Sequence, residues 1–96
     1  MAQQIVVFKL ISGEEVIGRM GETKDNRIFL EKPRAVAVTQ GQQPGQMGIA
    51  LVPFLASNPD GDIAILETHI MATAQPTPEL EAGYIQQTTG IALATK

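Results

Sequence analysis

Apolar and polar positions along this chain alternate in short runs separated by turn residues, the pattern of an all-β domain. From Ile5 to Ile11 the residues are mostly apolar and β-branched. Val6, Phe8 and Leu10 form one stripe, and Lys9 breaks the other. Ser12-Gly13-Glu14 reads as a hairpin turn, with Val16 to Thr23 as the return strand. Gly18 and Gly21 fall inside that strand, where glycine marks a bulge, a bend or a close backbone approach. After the turn Lys24-Asp25-Asn26, a third strand is predicted from Arg27 to Thr39, with Ile28 and Leu30 on one face. Pro33 cannot donate to a ladder, so it marks a bend or a break in pairing. Residues 40–46, QGQQPGQ, form a polar loop.

The fourth predicted strand, MGIALVPFLA (47–56), does not alternate. Ile49, Leu51 and Pro53 would point one way and Ala50, Val52 and Phe54 the other, so neither face is polar. No charge occurs from Met47 to Ser57, and nothing in the segment discourages edge pairing. Two covers are open. One is a helix from the same chain. The other, which the pattern favours, is a subunit interface built on Ile49, Ala50, Leu51, Val52 and Phe54, with the edge extended by a neighbour's strand.

Asn58-Pro59-Asp60-Gly61 is the strongest turn signal, and it leads into a fifth strand from Asp62 to about Ala72. Gln75-Pro76-Thr77-Pro78 then stops the sheet. Thr77 suits a helix cap, Pro78 the first helical position, and Glu79 and Glu81 the positive end of the dipole. A short helix is predicted over about 78–88, with Leu80, Tyr84 and Ile85 on one face and Gly83 weakening it. Gly90 ends it, and IALA adds a short extended segment. The chain thus divides into a β portion, 1–75, and a helical extension of the same domain, 76–96.

Composition narrows the function classes. Ninety-six residues make one domain. At 18% charged the chain carries less solvated surface than an average domain, which leans towards association. It has no cysteine, so disulfides and thiolate metal sites are excluded. The N-terminal stretch has no basic leader, and no apolar run reaches the length of a membrane span, so a soluble cytoplasmic protein is expected, with no membrane partner. A net charge of −3 argues against wrapping duplex DNA, though not against local recognition of a few bases. No nucleophile–base arrangement, phosphate-binding glycine loop or metal-ligand spacing stands out. Glu14-Glu15 and Asp60-Gly61-Asp62 read as solvated turn charge. No enzyme activity, cofactor or metal is expected.

Two polar segments remain as candidate sites. Lys24, Asp25, Asn26 and Arg27 could meet phosphate and read a base edge, or could serve only as a polar hairpin turn. Thr68 and His69, in LETHIM, could stack on a base or donate to phosphate, or could be surface strand residues; Glu67 beside them would repel phosphate.

The stretch FKLISGEEVIGRMGETKDNRIFLEKP, Phe8 to Pro33, resembles the first motif of the Sm/LSm and bacterial Hfq family. Gly13 would be its turn glycine, Gly18 the bending glycine, Asp25 and Asn26 the loop residues and Leu30 the apolar anchor. With GQMGIALVPF, the chain looks like a small Sm-like protein of the kind carried by phages infecting cyanobacteria, over about residues 5–72. It departs from the family in lacking a leading helix and in having LETHIM where an Arg-Gly or Lys-His motif is usual. The resemblance implies a strongly bent five-stranded antiparallel barrel. It also implies homo-oligomeric rings of five to eight subunits, joined by pairing a fourth strand with the neighbour's fifth. It further implies single-stranded RNA bound near the pore by the loops after the second strand and before the last. The expected function is therefore a ring that binds single-stranded RNA. The alternative is an Sm-like ring without RNA binding that serves phage or host assembly through protein contacts.

Overall fold

The computed structural model describes residues 4–40 and 47–89. The polar loop expected before Met47 and the segment expected from Gly90 onward lie outside the described residues. The architecture is the expected one in class: a strongly bent antiparallel sheet with one short C-terminal helix. Its strands are β1 (Ile5–Leu10), β2 (Glu15–Lys24), β3 (Arg27–Gln40), β4 (Met47–Pro53), β5 (Ile63–Leu66) and β6 (Ile70–Ala74), followed by α1 (Pro78–Thr89). The order across the sheet is β4-β3-β2-β1-β6, and β5 pairs with the first part of β3.

Among the described residues there are six strands where five were expected. The single fifth strand predicted over 62–72 is divided by a 3₁₀ turn, Glu67–His69. The two halves serve different partners. β5 pairs with β3 through Ile28 and Ile65, while β6 pairs with β1 through Lys9 and Ala72. One straight strand cannot reach both, so the chain turns between them. The fourth strand also ends earlier than expected, at Pro53, which leaves Phe54 outside it.

The bend of the sheet comes from two compensating irregularities between β2 and β3. Between the pairs Ile17–Arg34 and Arg19–Glu31, Gly18 alone faces two residues, Lys32 and Pro33. Between Met20–Leu30 and Thr23–Ile28, Gly21 and Glu22 face Phe29 alone. Each extra residue kinks its strand. Gly18 is needed because a Cβ there would stand 3.2 Å from the Glu31 carbonyl oxygen and 3.3 Å from Leu30 Cβ. Lys32, at the kink, takes a left-handed φ of 50°, rare for a residue with a side chain.

Bending wraps one face into a core of Val6, Phe8, Leu10, Val16, Leu30 and Ile65, against which Phe54 and Ile70 pack. The stripe read from β1 is therefore the inward one. On the other face, Ile5 and Ile17 pack with Tyr84 of α1, joined by Val36, Leu51, Leu80 and Ile85. The helix begins as predicted: Thr77 accepts the Leu80 N–H on its hydroxyl at 3.3 Å and the Glu81 N–H on its carbonyl at 2.9 Å.

The outside of the β3 kink is gripped by side chains. The Tyr84 hydroxyl lies 2.9 Å from both the Glu31 and Lys32 carbonyl oxygens and shares its one proton between them. Burial pushes that phenol above its ordinary pKa, so it remains a donor. Lys32 Nζ donates to the Thr88 carbonyl at 3.0 Å, placing a cation at the negative end of α1.

Arg34 follows, only 5% exposed. Its Nε donates to Gln87 Oε1 at 2.7 Å, one terminal nitrogen to the Pro33 and Pro59 carbonyls at 3.0 and 2.6 Å, and the other to Asp60 Oδ1 at 2.7 Å. One guanidinium thereby ties together β3, α1 and the β4–β5 connection.

Two sets of outcomes test this account. Gly18→Ala should lower stability by about 1–3 kcal/mol in urea unfolding, because the strand cannot open there without cost. Gly83→Ala should raise it by about 0.5–1 kcal/mol, since the new methyl meets nothing within 4 Å and the helix gains propensity. The Arg34 hydrogen bond holds the Asp60 carboxyl below its ordinary pKa. A carboxyl with a lowered folded-state pKa stabilises above its unfolded pKa, and that contribution fades as pH falls through the folded value. The Tm advantage of the native chain over Asp60→Asn should therefore be full at neutral pH and shrink below about pH 4. A constant difference down to acid pH would show that the ion pair contributes nothing specific.

Candidate functional site

The hairpin between β2 and β3 turns in two residues, Asp25 and Asn26, both with left-handed φ of 56° and 64°. Two-residue turns of this kind match the twist of the strands they join, and Asp and Asn tolerate the conformation better than most residues. Lys24 and Arg27 flank the turn as a directly opposed pair, so both side chains leave the same face of the ladder. All four residues are exposed.

The second candidate segment comes to this same place from 41 residues further on. Arg27 is paired with Leu66, and the Glu67 N–H donates to the Asn26 carbonyl at 2.9 Å. The 3₁₀ turn that carries Thr68 and His69 is fastened again at its far end, where the Ile11 N–H donates to the His69 carbonyl at 2.9 Å. The structure thus joins the two candidate segments into one exposed rim, with the short turn bridging the β2–β3 hairpin and the end of β1.

The charges on this rim have a definite arrangement. Lys24 and Arg27 are like charges placed directly across a ladder, an unfavourable pairing by itself. Among the described residues neither is drawn into an ion pair, unlike Lys9, which meets Glu15, and Arg34, which meets Asp60. Asp25 and Glu67 stand on the same rim and offset the two cations in number. The rim holds two exposed donors for an anion, an amide that can pair with a base edge, a hydroxyl and an imidazole. Among the described residues no group of three or more His, Asp or Glu side chains is placed to hold a metal.

The apolar segment divides in a way its sequence did not separate. Leu51 packs under α1, and its carbonyl accepts a hydrogen bond from Gln87 Nε2 at 3.1 Å. Phe54 packs against the inner core. Both are covered within the chain, so the helix supplies part of the cover. Ile49 remains 61% exposed and Val52 42%, with Ala50 between them half-buried, and Val38, opposite Ile49 on β3, is 66% exposed. The end of the β3–β4 ribbon is apolar and open on both faces.

Arg34 is the residue that sequence reading missed. The only signal is a single charge following Pro33 in an otherwise apolar stretch, RAVAV. No helix among the described residues is long and apolar enough to cross a membrane. No family model matches the chain, and no curated protein matches it in sequence.

Proposed function

We propose that this protein is an Sm-like homo-oligomeric ring of five to eight subunits that binds single-stranded RNA on the rim formed by Lys24–Arg27 and Thr68–His69. The observation that carries the reading is the opposed, unpaired Lys24 and Arg27 at a turn hydrogen-bonded to the His69 segment. A phosphate between two cations relieves their mutual repulsion and gains charge-assisted hydrogen bonds. Asn26 reads a base edge and His69 offers a flat face for stacking, the two modes by which single strands are recognised. Thr68 adds a donor to phosphate or ribose.

Assembly is part of the reading. β4 and β6 end the sheet order, and neither carries a charge. Pairing β4 of one copy with β6 of the next is a head-to-tail contact, which closes into a ring when the rotation allows. The exposed Ile49, Val52 and Val38 would lie at that junction. Since Asp25 and Glu67 leave each rim without excess positive charge, a single site is weak. Repetition around a ring raises its effective affinity.

Fluorescence anisotropy with labelled oligo-U and oligo-A, at two salt concentrations and with duplex DNA as control, tests the site. The native chain should bind single strands at micromolar concentration. Arg27→Ala with Asn26→Gly should weaken binding by about tenfold or more with the hydrodynamic size unchanged. Glycine is the right replacement for Asn26 because it removes the side chain without straining a left-handed turn. If the native chain binds no RNA but remains a ring, the site reading fails. The exposed apolar ribbon then favours a ring that acts in assembly through protein contacts.

Val52→Lys tests the assembly. Light scattering should show a shift from a ring to monomers, because the substitution places a charge in the junction. A ring of native mass would place Val52 outside the interface.

A further inference from the structure

Phe29 is the aromatic side chain that neither core uses. Phe8 and Phe54 pack in the inner cluster and Tyr84 in the outer one, while Phe29 belongs to neither. Its neighbours Ile28 and Leu30 turn into the inner core, so Phe29 leaves the opposite face of β3, where it is half-buried. The residues beside it are small. Ala64 of β5 lies directly across the ladder. On the β2 side stands Gly21, where a Cβ would be 3.3 Å from the Phe29 carbonyl oxygen and 3.5 Å from its Cβ. Neither neighbour has a side chain long enough to cover the ring. A cleft of about 450 Å³ opens here, lined by Met20, Gly21, Glu22, Phe29, Glu31 and Asp62.

The groups along this face stand in a definite order. Arg27 precedes Phe29 by two residues, about 7 Å along the strand on the same face, with Lys24 directly across from it. Glu31 follows Phe29 by two residues, and Asp62 lines the cleft with it. Cation, ring, carboxylate is the order in which a nucleotide offers its phosphate, its base face and its base edge.

We propose that this cleft is a base pocket selective for guanine, with the phosphate at Arg27 and Lys24, the base stacked on Phe29, and Asp62 accepting from the guanine N1–H and 2-amino group. The inference deepens the RNA-binding reading above and rests on it. An ionised carboxylate only accepts hydrogen bonds. Guanine offers two adjacent donors, which match the two oxygens of one carboxylate. Adenine and cytosine offer one amino group beside a lone pair, and uracil offers one N–H between two carbonyl oxygens. Asp62 is the reader because it is exposed and has no ion-pair partner among the described residues, whereas Glu31 stands directly across the ladder from Arg19. A cationic side chain would suit the ring and the carboxylates, but it would meet Lys24 and Arg27 at the cleft's end. A nucleotide uses both ends.

Fluorescence anisotropy on the full chain tests the pocket, with labelled hexauridylate, the same strand carrying one central guanosine, and the same strand carrying inosine there. The guanosine strand should bind about tenfold tighter than hexauridylate, and inosine, which lacks the 2-amino group, should fall between them. Phe29→Leu should weaken the guanosine strand about tenfold through the lost stacking. Asp62→Asn, a surface change that leaves the fold intact, should bring the guanosine strand close to hexauridylate, because an amide sets a donor against a donor. Equal binding of guanosine and uridine strands by the native chain would overturn the pocket and leave the rim reading standing. A guanosine preference that survives Asp62→Asn would also overturn it. No binding of any strand would overturn both readings. Binding of a labelled tetra-arginine peptide that Phe29→Leu and Asp62→Asn both weaken, with no guanosine preference, would assign the cleft to cationic side chains and overturn the pocket.

Discussion

Arg34 takes a charge into the interior at the place where β3 bends, and the surrounding elements are arranged to satisfy it. Bringing a guanidinium out of water is costly unless its donors find acceptors. Here they find the Pro33 and Pro59 carbonyls, the Gln87 side chain and the Asp60 carboxylate. Those partners come from three separate parts of the chain. The interaction therefore acts more through position than through attraction: α1, the β4–β5 connection and the β3 kink must all be in place for the charge to be tolerated. Asp60 itself is largely in water, so its Coulombic contribution is screened. The weight falls on the two carbonyls and on Gln87.

The kink has consequences for the rest of the sheet. The first part of β3 is flanked by β2 and β5, and the second part by β2 and β4. β4 and β5 thus share the edge of β3 opposite β2, one on each side of the kink. With the bend, the chain leaves β5 beside the β2–β3 hairpin, turns once through Glu67–His69, and reaches β1 as β6. The rim that joins Asn26 to Glu67 follows from this path. Lys32 bears the conformational cost in its left-handed backbone. Two flanking carbonyls held by Tyr84, and a side chain held by the end of α1, keep it there.

Local rules made much of this legible. Glycine in a strand marked the kinks at Gly18 and Gly21, alternation in β1 named its buried face, and Thr77-Pro78 fixed the helix start. What failed had non-local causes. The 3₁₀ turn inside LETHIM carries no glycine or proline. It exists because β5 and β6 have different partners, which no window of sequence reveals. Phe54 looked like a continuation of β4's outer face because the strand was read past Pro53, whereas it turns into the core. Arg34 gave no sign of its burial, since two of its acceptors are main-chain carbonyls without a sequence signature and the side-chain acceptors lie far along the chain. The meeting of Asn26 with Glu67 likewise depends on the bend, although both segments had been marked separately for their chemistry.

The open ribbon of β3 and β4 bears on the rim through energetics. One rim offers two cations against two carboxylates, so long-range attraction for a polyanion nearly cancels and short-range contacts decide. Such a site gains little from being alone and much from being repeated, because linked weak contacts multiply while the cancelled long-range field stays small. Exposed Ile49, Val52 and Val38 lie on a segment whose charge-free edge has no feature that resists pairing. α1 covers part of the segment, and the ribbon's end is left bare. Under the proposed reading, a balanced rim and an unprotected edge are two halves of one physical logic: the weakness of a single rim would give assembly its value, and the edge would supply the means.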